Sequence, residues 1–507
     1  MTTPIERFIV GRPLVADGVA LLAGCLFPLS FSPFGLWPLS LITIGLLALV
    51  VSPHPVSIRR GSLRFYLFAL GMYGVGVSWI YNSIHDYGNA SPLLAGFLVA
   101  LFVAAFSLLS LLHGYLFMRF VRPLAFGMLL GFPLAWLLRE WAFTWVLTGF
   151  PWLLVGYGWL DTPMSGYVPV IGVLGTGLLV VLQASLIVWL LLHWRRFAVV
   201  AGGVLLIWSL GFALTTVHFV SPREAPLRVA AVQGNIDQAV KWRRDMIGPI
   251  IDIYLGLTNE VWDSDLIIWP EASITLLRAD AEPLLDVLER RAGKEEAALI
   301  LGLPDRGPGG EFWNTAIAIG AGEGQYIKRR LVPFGEYVPL EGVLRGLIDF
   351  FDLPMSRNRP GDWHQEQLRA LGLRVGVSIC YEVVYPELVR SPSLEPDLLV
   401  TISNDTWFGD SMGPWQHLQM ARARALENGR YLVRATNNGI TAIVDPRGKV
   451  TARIPQFEPG VLRGEISRMS GHTPFARVGS LPLVVAAALA LLALGAHRIH
   501  VSRTSIG

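Results

Sequence analysis

The sequence has little charge and very little cysteine. Asp, Glu, Lys and Arg make up 16% of the 507 residues, against roughly 25% in an ordinary soluble domain, which excludes a wholly soluble protein. The two cysteines, Cys25 and Cys380, are too few for a disulfide framework. The sequence also lacks a cysteine–histidine cluster and a phosphate-binding loop, so we expect neither a metal nor a cofactor.

Apolar residues take the place of the missing charge, at 53% of the chain. Eight apolar runs each approach the ~20 residues that a helix needs to cross the hydrocarbon layer of a membrane. They lie near residues 14–31, 36–52, 63–84, 92–118, 124–146, 167–192, 197–217 and 479–497. We therefore predict a transmembrane domain of seven helices at 1–220, a soluble domain at 221–470, and an eighth transmembrane helix with a tail at 471–507.

Arginine placement predicts the orientation, because Lys and Arg in short loops stay on the cytoplasmic side. With a cytoplasmic N-terminus, ten arginines fall in cytoplasmic segments, and the opposite short loops at 32–35, 85–91 and 147–166 contain neither Lys nor Arg. The soluble domain then lies outside, in a bacterium in the periplasm, with both termini in the cytoplasm and the spans in the inner membrane. The net charge of +3 mostly reflects these arginines, so it gives no case for nucleic-acid binding.

The first apolar run leaves a second interpretation open. Leu22-Ala23-Gly24-Cys25 resembles the cleavage box of a bacterial lipoprotein signal peptide. The residues after Cys25 stay apolar where a lipoprotein begins a polar tether, so we favour an uninterrupted helix. Cys25 then lies in the membrane and Cys380 outside it, and we expect Cys380 to be a free thiol.

The soluble domain alternates between short apolar runs and helical spacing, which predicts an α/β class with buried sheets. Strands are expected near 227–232, 265–269, 298–303, 315–319, 373–379 and 397–403, and helices near 244–261, 282–294 and 415–428. Pro270, Pro333, Gly335 and the pair Asn404-Asp405 come just after strand-like runs, and Cys380 ends one. Residues at such strand ends can converge on one rim.

Cys380 is a candidate nucleophile at one of these strand ends. A thiol attacks as its thiolate, and with an ordinary pKa of ~8.5 it needs a base or a nearby cation. Glu271 can take the proton, and Lys328 can lower the thiol pKa and stabilise an oxyanion. Taken singly, each residue has an ordinary structural role as an equal alternative: Cys380 in the core, Glu271 as a helix cap, Lys328 as a solvated charge, and Glu336 and Glu382 as surface carboxylates.

Taken together, three segments decide between these roles. Trp269-Pro270-Glu271, the stretch from Lys328 to Glu336, and Cys380-Tyr381-Glu382 resemble, in this order, the carbon–nitrogen hydrolase (nitrilase) superfamily with its Glu-Lys-Cys triad. Further segments resemble the apolipoprotein N-acyltransferase family within it: Val232 to Ile236 with Trp242, Leu331 to Glu336, Ser403 to Phe408, and Ala435 to Gly439. The resemblance covers nearly the whole chain, including the apolar runs on both sides of the soluble domain.

The resemblance implies an α-β-β-α sandwich for the soluble domain and a cofactor-free acyl transfer. In this family the cysteine takes the sn-1 acyl chain of a phospholipid as a thioester. The chain then passes to the α-amino group of a lipoprotein's diacylglyceryl-modified N-terminal cysteine, the last step of lipoprotein maturation. By position, Cys380 is the nucleophile, Glu271 the base and Lys328 the oxyanion partner.

The same resemblance assigns further residues and partners. Glu336, Tyr381 and Glu382 match supporting residues, and Trp242 matches a tryptophan of the lipid- or lipoprotein-binding surface. Trp415 is a second candidate for substrate binding, through contact with lipid. The expected partners are a phospholipid donor, a diacylglyceryl apolipoprotein acceptor and the lipid of the membrane, and we expect the enzyme to act as a monomer.

Other polar or amphipathic features have two interpretations. The segment 338–353 has apolar residues at helical spacing and is either a lid in the membrane interface or a helix packed on the domain. Arg139 and Glu140, in the fifth apolar run, are either functional groups in a wet cavity or interface anchors. We interpret His417, Arg422 and Arg424 as structural.

Two other functions use the same sequence features differently. A membrane-tethered amidase or nitrilase would have the same triad but release its acyl group to water. A transporter would need paired charges or broken helices in several spans, and only Arg139 and Glu140 hint at that. We therefore favour the acyltransferase.

Overall fold

A computed structural model describes residues 3–193, 196–338, 358–390 and 395–504. The chain divides into two compact units. The first comprises Met1–Ile80, Leu93–Val217 and Val478–Gly507, and the second comprises Tyr81–Pro92 and His218–Arg477. The segment 338–353, expected to be either a lid or a helix packed on the domain, falls beyond Val338 outside the described residues.

Helices make up the N-terminal part of the chain, and each of the first seven predicted apolar runs contains at least one. The helices are α1 Pro4–Gly11, α2 Pro13–Leu26, α3 Pro38–Val51, α4 Ile58–Gly76, α5 Ile80–His85, α6 Pro92–Leu116, α7 Phe132–Ala142, α8 Val168–Leu192 and α9 Phe197–Thr215. Cys25 lies inside α2, and both cysteines are free thiols.

Four helical stretches of the described chain are long and apolar enough to cross a membrane: Pro13–Ser30, Pro92–Val121, Pro163–Leu192 and Phe197–Thr215. These coincide with four of the eight predicted spans. The others fall short for local reasons. For example, α4 carries three arginines, and α7 has 11 residues, below the ~20 of a full crossing. The remaining four spans stay predictions.

Small residues let α2 and α4 pack closely. A Cβ atom added at Gly24 would overlap the carbonyl oxygen of Phe68, and one added at Gly71 would meet the backbone of α2. Such small-residue contacts are typical of helices packed in a membrane. A buried ion pair joins the same two helices, since Arg64 Nε lies 2.9 Å from Asp17 Oδ1.

Arg139 and Glu140 on α7 are both buried, at 6% and 2% exposure. Arg139 Nη2 donates to Ser110 Oγ at 3.0 Å. Glu140 Oε1 accepts hydrogen bonds from Trp136 Nε1 at 3.1 Å and from the Val155 amide at 2.9 Å. The two charges therefore have separate partners inside the helical unit.

The second unit is built on two large sheets. Its strands are β1 Val220–Pro222, β2 Leu227–Gln233, β3 Leu266–Ile268, β4 Ala298–Arg306, β5 Phe312–Gly320, β6 Gly322–Glu323, β7 Gln325–Ile327, β8 Leu368–Ala370, β9 Leu373–Ile379, β10 Leu398–Ser403, β11 Leu432–Thr436, β12 Ala442–Val444, β13 Val450–Arg453, β14 Gly460–Ile466 and β15 Met469–Gly471. The six predicted strands are confirmed as β2, β3, β4, β5, β9 and β10.

Helices accompany these strands. They are α10 Gln238–Lys241, α11 Ile247–Asn259, α12 Arg278–Lys294, α13 Pro386–Arg390, α14 Gly413–Asn428 and α15 Pro474–Val478, and the chain then enters α16 Leu481–Thr504 of the first unit. The three predicted helices correspond to α11, α12 and α14.

The sheets are mixed, with parallel strands at their centres. The six-stranded sheet has the order β14-β2-β3-β4-β5-β7, and the seven-stranded sheet has the order β13-β12-β11-β10-β9-β8-β6. In the first, β3 runs parallel to β2 and β4, with Leu266 opposite Val229 and Ala298. In the second, β10 runs parallel to β9 and β11. The carboxyl ends of these central strands therefore point to one edge of each sheet.

Alternating residues of β2 face two different cores. Val229 and Ala231 of β2 join a core shared with the seven-stranded sheet, whereas Ala230 and Val232 pack in a core that includes residues of α11 and α12. Because side chains alternate along a strand, one strand serves both layers. This helix–sheet–sheet packing agrees with the predicted nitrilase-like sandwich.

A short segment from the N-terminal part of the chain belongs to this second unit. Asn82 Nδ2 donates to the carbonyl of Phe408 at 2.9 Å, and Ser83 Oγ donates to the carbonyl of Trp407 at 2.7 Å. The ring of Tyr87 meets the ring of Trp407 at a centroid distance of 5.7 Å. Residues 81–92 are thus attached to the turn that follows β10.

Candidate active site

The two sheets each supply part of one polar site. Glu271 follows β3 and Lys328 follows β7 of the six-stranded sheet, while Cys380 follows β9 and Asn404 follows β10 of the seven-stranded sheet. Strand ends place these residues because hydrogen bonding fixes the strands and leaves the residues just beyond them free to turn inward.

Lys328 lies between two carboxylates. Its Nζ is 2.9 Å from Glu336 Oε1 and 3.3 Å from Glu271 Oε1. Asn314 Nδ2 donates to the same two oxygens, at 3.0 Å and 2.7 Å. Lys328 is 1% exposed, Glu271 7% and Glu336 8%, so the alternative roles of Lys328 and Glu336 as surface charges are wrong.

The second oxygen of each carboxylate is also engaged. Glu271 Oε2 accepts from the Asn404 amide at 2.8 Å, and Glu336 Oε2 accepts from the Val332 amide at 2.8 Å. Because both oxygens are held, each carboxylate has a fixed orientation. The Asn404 bond also joins the two sheets at the site.

The charge of Lys328 is secured by this arrangement. Burial alone would lower its pKa, but the negative charges of Glu271 and Glu336 raise the pKa well above its ordinary value. Lys328 is therefore an ammonium throughout the physiological range, as an oxyanion partner needs to be.

Cys380 has the environment of a thiol that needs a base. Burial and the charges of Glu271 and Asp405 raise its pKa, against the opposing effects of Lys328 and a hydrogen bond with Ser403. The thiol is thus protonated at neutral pH and must lose its proton to attack. Cys380 keeps part of its surface exposed and has a φ of +53°, a strained conformation for a residue with a side chain.

Glu382 fixes the backbone around the thiol. Its carboxylate accepts from the amides of Ile379 at 2.8 Å, Arg329 at 2.7 Å and Arg330 at 3.1 Å, and from the Tyr326 hydroxyl at 2.9 Å. Glu382 is fully buried, so its alternative role as a surface carboxylate is wrong. It joins the loop that carries Lys328 to the turn that carries Cys380.

His417 on α14 contacts the main chain of Cys380 directly. Its Nε2 lies 3.2 Å from the carbonyl oxygen of Cys380, while its Nδ1 lies 3.0 Å from Arg434 Nη2 and 3.1 Å from Asp405 Oδ1. Burial and the charge of Arg434 lower the pKa of His417, which favours a neutral ring. Because a carbonyl oxygen can only accept, the hydrogen bond to Cys380 requires that His417 donate its Nε2 proton.

The remaining predicted site residues have individual positions. Tyr381 is buried, with its ring edge-on to Tyr385 at 5.3 Å. Trp242 is 43% exposed at the end of α10. Trp415 is half-buried, with the guanidinium of Arg453 5.2 Å from the centre of its ring.

The two arginines of α14 that we interpreted as structural also have defined partners. Arg422 Nε donates to the Gly448 carbonyl at 2.8 Å. Arg424 Nε lies 3.0 Å from Glu427 Oε2, and the side chains of Arg424 and Glu427 are both fully buried.

Two polar residues at the site went unnoticed in the sequence. Asn314 lies inside β5, where its only signal is a polar pair with Thr315 in an otherwise apolar strand. Lys241 is 1% exposed, and its Nζ donates to the main-chain carbonyl of Glu271 at 3.1 Å. The scarcity of lysine, with four in the chain, could have singled it out together with Lys328.

Comparisons with known proteins follow the same division of the chain. Residues 228–472 match the carbon–nitrogen hydrolase family, and residues 23–186 match the apolipoprotein N-acyltransferase N-terminal domain. The apolipoprotein N-acyltransferase of Pseudomonas syringae pv. tomato is 45% identical over 92% of this chain and 94% of its own length. That of Azotobacter vinelandii is 45% identical over 94% and 93%, and that of Vibrio vulnificus is 39% identical over 95% and 96%.

Proposed function

Because this chain belongs to the apolipoprotein N-acyltransferase family, we propose that it transfers the sn-1 acyl chain of a phospholipid to an apolipoprotein. The acceptor is the α-amino group of the N-terminal S-diacylglyceryl-cysteine, and the transfer is the last step of bacterial lipoprotein maturation. The observation that carries the proposal is the buried Glu271–Lys328–Glu336 cluster, whose charges act on the Cys380 thiol.

In the first half-reaction Glu271 removes the proton of Cys380 Sγ. The thiolate then attacks the sn-1 ester carbonyl of the phospholipid, and Lys328 stabilises the oxyanion that forms. The bond to the glycerol oxygen breaks, and the proton held by Glu271 passes to that oxygen. A lysophospholipid leaves, and the acyl chain remains on Cys380 as a thioester.

In the second half-reaction the acceptor amine attacks the thioester carbonyl. Glu271 accepts a proton from the attacking nitrogen, and Lys328 again faces the oxyanion. The carbon–sulfur bond breaks, the proton returns to Cys380 Sγ, and the acyl chain becomes an amide on the lipoprotein. The enzyme is regenerated without a cofactor.

The supporting residues take roles that fit their contacts. Glu336 orients Lys328, and Glu382 holds the Cys380 turn with Tyr381 packed beside it. Exposed Trp242 is a candidate contact for substrate, and half-buried Trp415 is a second.

We further propose an inner-membrane protein with eight spans, a periplasmic catalytic domain, both termini in the cytoplasm and a monomeric state. The proposed division remains 1–220, 221–470 and 471–507. The four apolar helices long enough to span and the arginine-free loops on one side of the predicted topology support this placement.

A membrane-tethered amidase or nitrilase is the alternative, because the same triad would serve hydrolysis. The two functions differ in the acceptor of the acyl group. A transferase must keep water from the thioester until the amine arrives, so the products separate the two.

Intact mass spectrometry tests the proposal. Purified wild type and Cys380→Ala are incubated with a defined phospholipid and no acceptor. We expect a hydroxylamine-labile gain of one acyl mass in wild type and none in the variant. A diacylglyceryl-cysteine peptide should then discharge the thioester and carry the chain as an amide. Free fatty acid in its place would favour the hydrolase, and absence of both adduct and lysophospholipid would contradict acyl transfer.

A further inference from the structure

Lys241 is a second buried lysine at the site, and the mechanism above does not use it. Its side chain is 1% exposed, and its Nζ donates to the carbonyl oxygen of Glu271 at 3.1 Å. In the part of the chain that the structure describes, the ammonium of Lys241 makes this one hydrogen bond. A buried ammonium with spare donors is costly unless its charge answers another charge nearby.

The buried cluster of Glu271, Lys328 and Glu336 has a negative charge that Lys241 can offset. Lys328 is shared by two carboxylates, those of Glu271 and Glu336, which leaves one negative charge uncompensated in a buried cluster. Lys241 provides the second positive charge. Burial lowers its pKa to about 8, while the charged group facing it, Glu271, acts in the opposite direction. Lys241 is therefore largely protonated at neutral pH and loses that charge as the medium becomes alkaline.

The helix that carries Lys241 holds Glu271 from two directions. Lys241 reaches the Glu271 carbonyl from the end of α10. Gln238, at the start of the same helix, accepts a hydrogen bond from the side chain of Asn404 (Nδ2) at 2.8 Å. The backbone N–H of Asn404 in turn donates to Glu271 Oε2 at 2.8 Å. One four-residue helix thus fixes both the main chain and the carboxylate of the proposed base.

The next residue, Trp242, is exposed and is the proposed contact for substrate. One peptide bond therefore separates a candidate lipid-binding side chain from the lysine that holds Glu271.

We propose that Lys241 is a positioning residue for Glu271. Lys241 holds the main chain of Glu271, and its ammonium offsets the negative charge that Lys328 leaves uncompensated at the site. The proposal rests on the proposed function in taking Glu271 as the base. Loss of the ammonium would leave the cluster more negative, so formation of the Cys380 thiolate would become harder.

Alkylation of Cys380 by iodoacetamide tests this without any lipid. The full-length protein in detergent is labelled from neutral to alkaline pH, and peptide mapping separates Cys380 from Cys25. For Lys241→Met we expect labelling about tenfold slower at neutral pH, the size of one pKa unit, and a curve displaced to higher pH. Lys241→Arg keeps the charge and should restore most of the rate. Lys294→Met, at an exposed position on α12, is the matched control.

Thermal unfolding of each variant checks that it is folded, and Lys241→Gln replaces the Met variant if that one is not. A Lys241→Met curve that superimposes on wild type would overturn the proposal. The proposal would also be overturned if Lys241→Arg, which keeps the charge, were labelled as slowly as Lys241→Met while keeping the wild-type melting temperature.

Acyl transfer from phospholipid gives a second measurement. We expect Lys241→Met to lower the rate of thioester formation and to leave KM for the donor unchanged, whereas a rise in KM alone would make Lys241 a substrate-binding residue and contradict positioning. If the Lys241 variants show the predicted labelling but wild type never forms a thioester, the proposed function fails while the role of Lys241 stands.

Discussion

The two sheets of the second unit hold their parts of the site by different means. The six-stranded sheet contributes Glu271 and Lys328, which are fixed by opposite charges at 2.9–3.3 Å with Glu336. The seven-stranded sheet contributes Cys380, which is fixed through its backbone. His417 contacts the carbonyl oxygen of Cys380, and Glu382 accepts a hydrogen bond from the amide of the preceding residue, Ile379. In the proposed mechanism the charged half carries the proton transfer, and the backbone-held half determines where the sulfur lies.

This difference predicts that equally conservative substitutions have different effects in the two halves. A change on the charged side should remove the proposed proton transfer and so have the larger effect on the rate. A change on the backbone-held side should cost stability and position together. Three substitutions, in order of expected effect on the acylation rate, test that division.

The largest effect is expected for Glu271→Gln. Glutamine keeps the shape and can still accept from the Asn404 amide, but it cannot take the thiol proton. General-base catalysis contributes about 10²–10⁴-fold, so thioester formation should slow by about 10³-fold. The melting temperature should also fall, because the new amide nitrogen would face Lys328 and Asn314. The rate is measured by intact mass, with Glu289→Gln on the exposed face of α12 as control. A rate within tenfold of wild type would remove Glu271 from the role of base.

Glu382→Gln is expected to act on both rate and stability. The amide group has one acceptor oxygen where the carboxylate has two, so at least one of the buried donors from Ile379, Arg329 and Arg330 loses its acceptor. Each such loss costs about 1–3 kcal/mol. We expect a lower melting temperature together with slower thioester formation, measured on the same samples.

Glu387→Gln is the control for this substitution, because Glu387 pairs with Arg390 at the surface. A Glu382→Gln variant that keeps the wild-type melting temperature but loses all activity would mean that Glu382 acts in the chemistry, and the division between the two halves would be wrong.

The smallest effect is expected for His417→Phe. Phenylalanine keeps the ring and removes the hydrogen bond to the Cys380 carbonyl, which is worth about 1 kcal/mol, or about fivefold in rate. Because the pKa of His417 is lowered, the ring is already neutral above its ordinary pKa of ~6.5. The pH profile of thioester formation should therefore keep its shape.

Met420→Leu, a buried and nearly isosteric change on the same helix, controls for repacking. A change in the shape of the profile with His417→Phe would show that the imidazole exchanges protons during the reaction.

Sequence patterns located the strand ends of the site but not its interior contacts. Short apolar runs predicted β3, β9 and β10, and hence the positions of Glu271, Cys380 and Asn404, because a strand signal is local. Lys328 lies between Tyr326 and two arginines, a pattern typical of an exposed loop. Only carboxylates delivered from other parts of the chain make its burial tolerable.

Residues that act across long separations left only weak local signals. Asn314 is 43 positions from the Glu271 oxygen that it contacts, and Lys241 is 30 positions from the Glu271 carbonyl. In the N-terminal helical part, the sequence pattern located the helices but not their lengths. Hydropathy found the apolar runs, but the lengths of helices such as α7, with 11 residues, depend on turns that composition does not encode.

The hydrogen bonds from Asn82 and Ser83 to the carbonyls of Phe408 and Trp407 make the second unit discontinuous along the gene. A truncated protein that starts at His218 would lack both donors, since they are encoded more than a hundred codons upstream. We therefore expect the isolated fragment 218–477 to be less stable than the same fragment supplied with residues 81–92 as a peptide. For any effort to obtain the catalytic unit in soluble form, that peptide is a missing component rather than a dispensable membrane loop.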